Sequence, residues 1–237
     1  MIVRPTELSL TLITQADHAA LAWRIMEHWV ADGLPVAEHR APILHAILQH
    51  DNGWHEVDEA PIRGDDGSVL DFVTTPLEVR QGVWPRGVER LASNPVAAAL
   101  VAEHAINIYS RYRDDEAWAS FFSRMAELRA RFAGVAGVSL EEIAEDYFFL
   151  RAADLISLTF CSGWTDVQQI REYTFKLDEK ILTIHPDPFA GATVSLEVPG
   201  RALARREFES AADLAEAWAA SSRVTVRGIL RGGDLRG

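Results

Sequence analysis

The chain has 237 residues, 48% of them hydrophobic, which suffices for one large domain or for a core with an appendage. Its formal net charge of -12 argues against a broad surface for nucleic acids or membranes. A single cysteine, Cys161, excludes an intramolecular disulfide, and neither a secretory signal nor a run of roughly 20 apolar residues is visible. We therefore expect a cytoplasmic, soluble protein without nucleic-acid or membrane partners.

Helical patterns dominate residues 1–165. After a strand-like segment in residues 1–13, caps and apolar spacing predict five main helices. Their predicted ranges are 14–30, 41–52, 94–112, 116–132 and 139–161. A shorter helical piece at 77–92 is predicted to break at Pro85, and residues 52–75 are predicted to form a loop.

The pattern changes after residue 164. Alternating β-branched residues at 181–184, 193–198 and 224–230 predict strands, and residues 213–220 predict a short helix between them. The sequence therefore predicts a mainly α protein. Residues 1–165 form its helical domain, and residues 166–237 form a small mixed β appendage packed on that domain.

Four of the predicted helices each place an ionisable side chain on the apolar face. Because positions three, four and seven apart share a face, these side chains are expected to point toward the core. The set comprises His18, His50 with Asp51, His104, and Asp154. Buried carboxylates are costly unless a cation compensates them, and imidazoles are neutral donors to such a cation. The sequence therefore predicts a metal site at His18, His50, Asp51 and Asp154, with His104 beside it.

Each of these residues also has a purely structural alternative. A lone inward histidine is more often a hydrogen-bonded core residue than a ligand. Asp154 alone would fit an ion pair with Arg151 or Arg111. The metal site is favoured because four separate helices each place such a side chain on their apolar face. On the second helix His45 falls opposite the apolar face and is expected at the surface, whereas His55 lies in the loop that follows and could approach the site.

The order of these residues resembles the HD-domain superfamily. Its pattern is a separate His, an adjacent His-Asp pair that ends a helix, and a distant Asp on a later helix. Here these are His18, His50-Asp51 and Asp154, and the string AILQHDNG at residues 46–53 resembles the superfamily's segment around the pair. The resemblance covers roughly residues 14–165. It implies an HD-like helical bundle, a divalent metal site and, in most members, phosphate-ester hydrolysis.

A closer resemblance is to an uncharacterised bacterial family of unknown function. It rests on ITQADH at residues 13–18, on HDNGW at residues 50–54, and on a Pro-Phe turn at residues 188–189 before a β segment. This resemblance covers nearly the whole chain, but it implies no particular reaction.

The HD-type resemblance also implies roles for further residues. His104 resembles the extra histidine that some members use for a second metal, and Glu56 matches by analogy the catalytic Glu of some nucleotidases. Trp54 stands where many phosphodiesterase members carry Lys, which is a departure from the pattern. The candidate acid–base residues are His104, His55 and Glu56, and the candidate phosphate contacts are Arg111 and Arg151.

The expected function is that of a metal-dependent hydrolase acting on a small phosphorylated metabolite or nucleotide. Mixed nitrogen and oxygen ligands suit one or two ions of Mn, Fe, Co, Ni or Zn better than an all-oxygen Mg²⁺ cage. The acidic loop after Asp51 does not favour a polyanionic substrate. A dinuclear non-haem iron oxygenase on the same fold and a non-catalytic metal- or ligand-binding protein stay open, as does a homo-oligomer formed through the β appendage.

Overall fold

The fold is that of a computed structural model, which describes residues 1–235. These residues form helices α1 Gln15–Glu27, α2 Arg40–Gln49, α3 Leu77–Arg90, α4 Pro95–Ile108, α5 Ala119–Ala136, α6 Leu140–Ser162 and α7 Ala211–Ala220. Within this described part, no helix is both long and apolar enough to cross a lipid bilayer.

Side-chain caps set the starts of three helices in the first two thirds of the chain. Thr14 accepts a hydrogen bond from the backbone N–H three residues on at the start of α1, and Asn94 does the same at the start of α4. At α6, Ser139 and Glu142 form a reciprocal capping box. The three starts predicted from these residues are therefore confirmed.

The strands are β1 Ile2–Pro5, β2 Ser9–Ile13, β3 Gln168–Ile170, β4 Tyr173–Asp178, β5 Ile181–His185, β6 Thr193–Ala204 and β7 Ser222–Gly232. They form one curled sheet in the order β1-β2-β6-β7-β5-β4-β3. Neighbouring strands are antiparallel except β5 and β7, which are parallel. The long β6 pairs with β7 and, at its C-terminal end, with β2. The sheet thus joins the beginning of the chain to its later part.

The predicted fold class, a mainly α HD-like bundle with a small β appendage, is wrong. Helices, with the short 3-10 helices included, make up about half and strands about a fifth of the described residues, and the strands form a seven-stranded mixed sheet. The sheet was underestimated because its key pairing is not local: Leu10 of β2 lies opposite Leu203 of β6. Periodicity within one segment does not reveal a partner so distant in sequence. The division into residues 1–165 and 166–237 stays a prediction.

The main core lies between the helices and one face of the sheet, and α6 runs through its middle. Fourteen of the 23 residues of α6 are buried, and the helix packs against α1, α2 and α4 as well as β1 and β4. A helix buried around most of its circumference belongs in the centre of a fold. Asp154 lies on this helix, so its carboxylate is enclosed by protein.

A second, smaller core covers the other face of β2. It contains Leu10 and Leu12 of that strand together with Leu203, Phe208 and Leu214. Alternate residues of a strand point to opposite faces, so Ile13 of the same strand joins the main core instead. β2 is therefore buried on both faces directly before α1 begins.

Candidate metal centre

Four predicted ligands meet between α1, α2 and α6. His18 comes from α1, His50 and Asp51 from the end of α2, and Asp154 from α6. His18 Nε2 lies 3.3 Å from Asp154 Oδ1, and His50 Nε2 lies 3.3 Å from Asp51 Oδ2. The two crossed distances are 3.7 Å each. None of the four residues is more than 6% exposed, so their charges and lone pairs must be satisfied within the site.

Hydrogen bonds fix which nitrogen of each histidine carries the proton. His50 Nδ1 lies 2.7 Å from the carbonyl oxygen of Ile47, which can only accept, so this nitrogen is the donor. Ser157 gives its single hydroxyl proton to carbonyl oxygens of its own helix, at 2.8 Å from Ala153 O. It therefore accepts from His18 Nδ1 at 3.0 Å. In the neutral state, both rings present a bare Nε2 lone pair to the site.

These two lone pairs face each other at 3.2 Å, with a carboxylate oxygen on either side. Such an arrangement repels unless a cation or a proton lies between the rings. Two ligand atoms about 2.1 Å from a shared ion, at an angle of about 90–109°, are roughly 3.0–3.4 Å apart. The spacing and the donor set therefore fit a divalent metal ion.

Charges within the site shift two pKa values strongly. Burial alone would lower the pKa of His50, but attraction by Asp51 and hydrogen bonding to Asp154 and Asp51 raise it well above its ordinary value. Burial would raise the pKa of Asp154, but hydrogen bonds from His18 and His50 hold it well below its ordinary value. Without a metal, His50 therefore keeps a second proton and the carboxylate of Asp154 stays ionised.

His104 on α4 completes what we call the His/Asp cluster: His18, His50, Asp51, His104 and Asp154. Its Nε2 lies 3.9 Å from Asp154 Oδ2, and its Nδ1 lies 3.3 Å from the hydroxyl of Tyr147. Burial lowers the pKa of His104 to about 3, so the ring is neutral. Two groups in the cluster could hold a metal ion, one of His18, His50 and Asp51 and one of His50, His104 and Asp154.

A cavity of about 210 Å³, which we call the central cavity, reaches the cluster. Asp51, His104 and Asp154 form part of its wall, whereas His18 and His50 do not line it. Both predicted phosphate contacts, Arg111 and Arg151, also line it. A small molecule in this cavity would therefore contact the carboxylates of the cluster and both arginines.

The chain was compared with known families, curated proteins and solved structures. The family model described as "Protein of unknown function (DUF3891)" matches residues 1–205. The chain belongs to this family. Its resemblance to an uncharacterised family is thereby confirmed, whereas no matching family model supports the broader HD-domain resemblance. Neither a curated protein nor a solved structure shows significant similarity to this DUF3891 member.

Two predicted catalytic residues of this DUF3891 protein lie apart from the central cavity. His55 and Glu56 are exposed and do not line it. Glu56 instead forms ion pairs with Arg86 and Arg90 of α3, and the hydrogen bond from Arg90 lowers its pKa. The loop therefore turns Glu56 toward α3.

The turn that carries Asp51 is fastened to α3 by close packing. A Cβ atom on Gly53 would overlap the backbone oxygen of Val83, so only glycine fits. Asn52 donates to the carbonyl oxygen of Gly87 at 3.2 Å, and Arg90 donates to that of Asn52 at 2.7 Å. Close packing against α3 therefore requires glycine at position 53.

Some contributors to the DUF3891 site were not predicted. Ser157 orients His18, and it lies three residues after Asp154 on the same helical face, so the spacing could have found it. Arg151, which was predicted as a phosphate contact or as an ion-pair partner of Asp154, does donate to Asp154 Oδ2 at 2.8 Å, which leaves Oδ1 to the histidines. Arg80 lines the cavity from α3, a helix that continues through Pro85 where a break was predicted.

Proposed function

We propose that this protein is a metal-dependent hydrolase of a small phosphorylated metabolite. The observation that carries the proposal is the pair of Nε2 lone pairs of His18 and His50, which face each other between two carboxylates. The central cavity beside them supports a small-molecule substrate, and Arg111 and Arg151 in its wall suit an anionic group.

The shared histidine favours one metal ion rather than two. Both possible ligand groups in the cluster include His50. Its Nδ1 is bonded to the carbonyl oxygen of Ile47, so only Nε2 is free, and one nitrogen lone pair binds one ion. This favours a mononuclear hydrolase over the dinuclear iron oxygenase.

A divalent ion held here would act as a Lewis acid and lower the pKa of a water molecule bound to it. Some neighbouring residues orient the ligands, and another borders the cavity. Arg151 holds Oδ2 of Asp154, and Ser157 holds the ring of His18, so both ligands are oriented before the ion binds. His104 is neutral and borders the cavity, so its ring can exchange a hydrogen bond with the bound molecule, whereas its pKa of about 3 makes it a weak proton acceptor.

The proposal is tested by elemental analysis of purified protein, followed by phosphate release from a panel of phosphate esters with Mn or Co added. His50→Ala and the near-isosteric Asp154→Asn should lose bound metal and activity. His45→Ala is the matched control, because His45 is exposed on the same helix.

Three outcomes would overturn the proposal. They are metal retained by both cluster variants, no phosphate release from any ester by metal-loaded protein, and two iron ions per chain. The last would favour the oxygenase instead. Thermal melting of Asp154→Asn separates loss of the ligand from loss of the fold.

A further inference from the structure

Two arginines in the wall of the central cavity have no carboxylate partner. Among residues 1–235, Arg86, Arg90 and Arg151 pair with carboxylates, whereas Arg80 and Arg111 do not. Nε of Arg80 is buried and without any hydrogen-bond partner. In a chain with a net charge of -12, the unpartnered, buried Nε of Arg80 and the exposed guanidinium of Arg111 beside the same cavity indicate an anion that comes from outside the chain.

Aromatic rings hold both arginines in place without neutralising them. Cζ of Arg80 lies 5.6 Å from the centre of the Trp118 ring, and Cζ of Arg111 lies 4.7 Å from that of Tyr112. The two rings stack on each other with their centres 4.9 Å apart. Burial would raise the pKa of Tyr112, but Arg80 and Arg111 together lower it. This stack presents two oriented cations to one ligand.

The remaining wall of the cavity is mostly apolar and aromatic. Phe72, Trp84 and Tyr109 contribute flat surfaces to it. Two polar atoms in the wall are buried and lack a partner, the acceptor Gln15 Oε1 and the donor Trp54 Nε1, and both residues are only 2% exposed. Because buried polar atoms are normally paired, these two also indicate a ligand.

We propose that the substrate of this site is a small oxyanion that carries a flat ring, with Arg80 and Arg111 binding the oxyanion and the aromatic wall binding the ring. This inference rests on the proposed function and names its substrate class. The volume of about 210 Å³ is below the roughly 300–1,000 Å³ of typical ligand pockets. It suits a single-ring metabolite rather than a polymer or a dinucleotide.

The test measures binding of three probes to metal-free, full-length protein by calorimetry. Phenylphosphonate carries both the ring and the oxyanion, and its P–C bond resists hydrolysis. Methylphosphonate lacks the ring, and benzamide lacks the charge. Phenylphosphonate should bind at least about tenfold more tightly than either, because each of the other two loses one set of contacts. Equal affinity for phenylphosphonate and methylphosphonate would refute the proposal that the cavity binds the ring. Equal affinity for phenylphosphonate and benzamide would refute the proposal that it binds the oxyanion.

Arginine variants locate the bound oxyanion. Arg80→Gln and Arg111→Gln should each weaken phenylphosphonate binding by about tenfold or more. Arg113→Gln is the control, since Arg113 is exposed, lies outside the cavity and contacts Phe122. Unchanged affinity in both cavity variants, with their melting temperatures preserved, would overturn the inference.

The two proposals fail in different ways. If phenylphosphonate binds through Arg80 and Arg111 while metal-loaded protein releases no phosphate from any ester, hydrolysis is refuted and the ligand class stands. If metal-loaded protein releases phosphate while the arginine variants keep wild-type KM and probe affinity, the ligand class is refuted and hydrolysis stands.

Discussion

Nε2 of His18 lies 3.2 Å from Nε2 of His50, although both rings donate their Nδ1 protons to oxygens elsewhere. Two neutral rings cannot form a hydrogen bond in this arrangement. The contact is therefore either protonated or metal-bound, and a proton and a metal ion compete for the same lone pairs.

Metal binding should release about one proton per ion at neutral pH. The pKa of His50 is raised well above its ordinary value in the metal-free site, so the proton present at pH 7 must leave when Nε2 binds an ion. Affinity should accordingly rise with pH. Calorimetric titration in two buffers of different ionisation enthalpy counts the protons. A count of zero would show that the metal does not bind at this nitrogen.

Ser157→Ala should weaken metal binding by roughly 10–100-fold and leave the fold intact. The hydroxyl accepts from His18 Nδ1 at 3.0 Å, so its loss frees the ring to change tautomer or rotate. Competition with a chelator of known affinity measures the effect. Thr159→Val is the control, because the Thr159 hydroxyl is buried on the same helix but bonds to Leu155 O. An equal loss in both variants would mean that α6 is merely perturbed.

Gly53→Ala should cost about 1–3 kcal/mol of unfolding free energy, because its Cβ would be forced against Val83. The turn would have to move, and Asp51 with it, so metal content should also fall. Gly82→Ala is the matched control: the position is exposed on α3 and has no atom within 4 Å of the added Cβ. That change should be neutral or stabilising by up to about 1 kcal/mol. Denaturant unfolding of both variants compares them directly.

His104 should make the metal-free protein sensitive to acid. Burial lowers its pKa to about 3, from 6.5 in the unfolded chain, so between these pH values only the unfolded chain is protonated there. This contribution to stability is present above pH 6.5 and lost as the pH falls. From pH 7 to pH 5 the loss is about 2 kcal/mol, at 1.36 kcal/mol per pH unit below 6.5.

His104→Gln should remove that loss. Chelator-treated protein is unfolded with denaturant at both pH values, and the variant should lose about 2 kcal/mol less than the wild type. All other titrating groups are present in both proteins, so their contributions to the change in unfolding free energy cancel in the comparison. An identical pH dependence in both proteins would contradict the neutral, buried state of this ring.

Helical periodicity predicted which side chains come together, because this signal is local. The face of α6 that carries Tyr147 and Asp154 and the face of α4 that carries His104 could both be read from spacing within one helix, and the structure brings these side chains together. The same rule placed His45 at the surface, where it lies.

The strand order of the sheet and the packing around Gly53 could not be predicted, because both depend on contacts between segments that are distant in sequence. The partner of Leu10 is Leu203, and the partner of Gly53 is the backbone of Val83, so both constraints come from distant parts of the chain. Strand β3 was not predicted because it is short and polar, whereas β4 alternates Tyr173, Phe175 and Leu177 with polar residues, a signal that could have found it. Arg80 was missed for a related reason, since its place in the cavity wall depends on how α3 packs against distant segments.

The position of β7 has a consequence for biosynthesis. This strand comes last among the seven in sequence, yet it lies between β6 and β5 and is the link between two sets of three strands. During translation the sheet cannot close until the ribosome has passed Gly232, whereas every residue of the His/Asp cluster has been made by Asp154. The helices that carry the ligands are therefore synthesised before the two sets of three strands can be joined by β7.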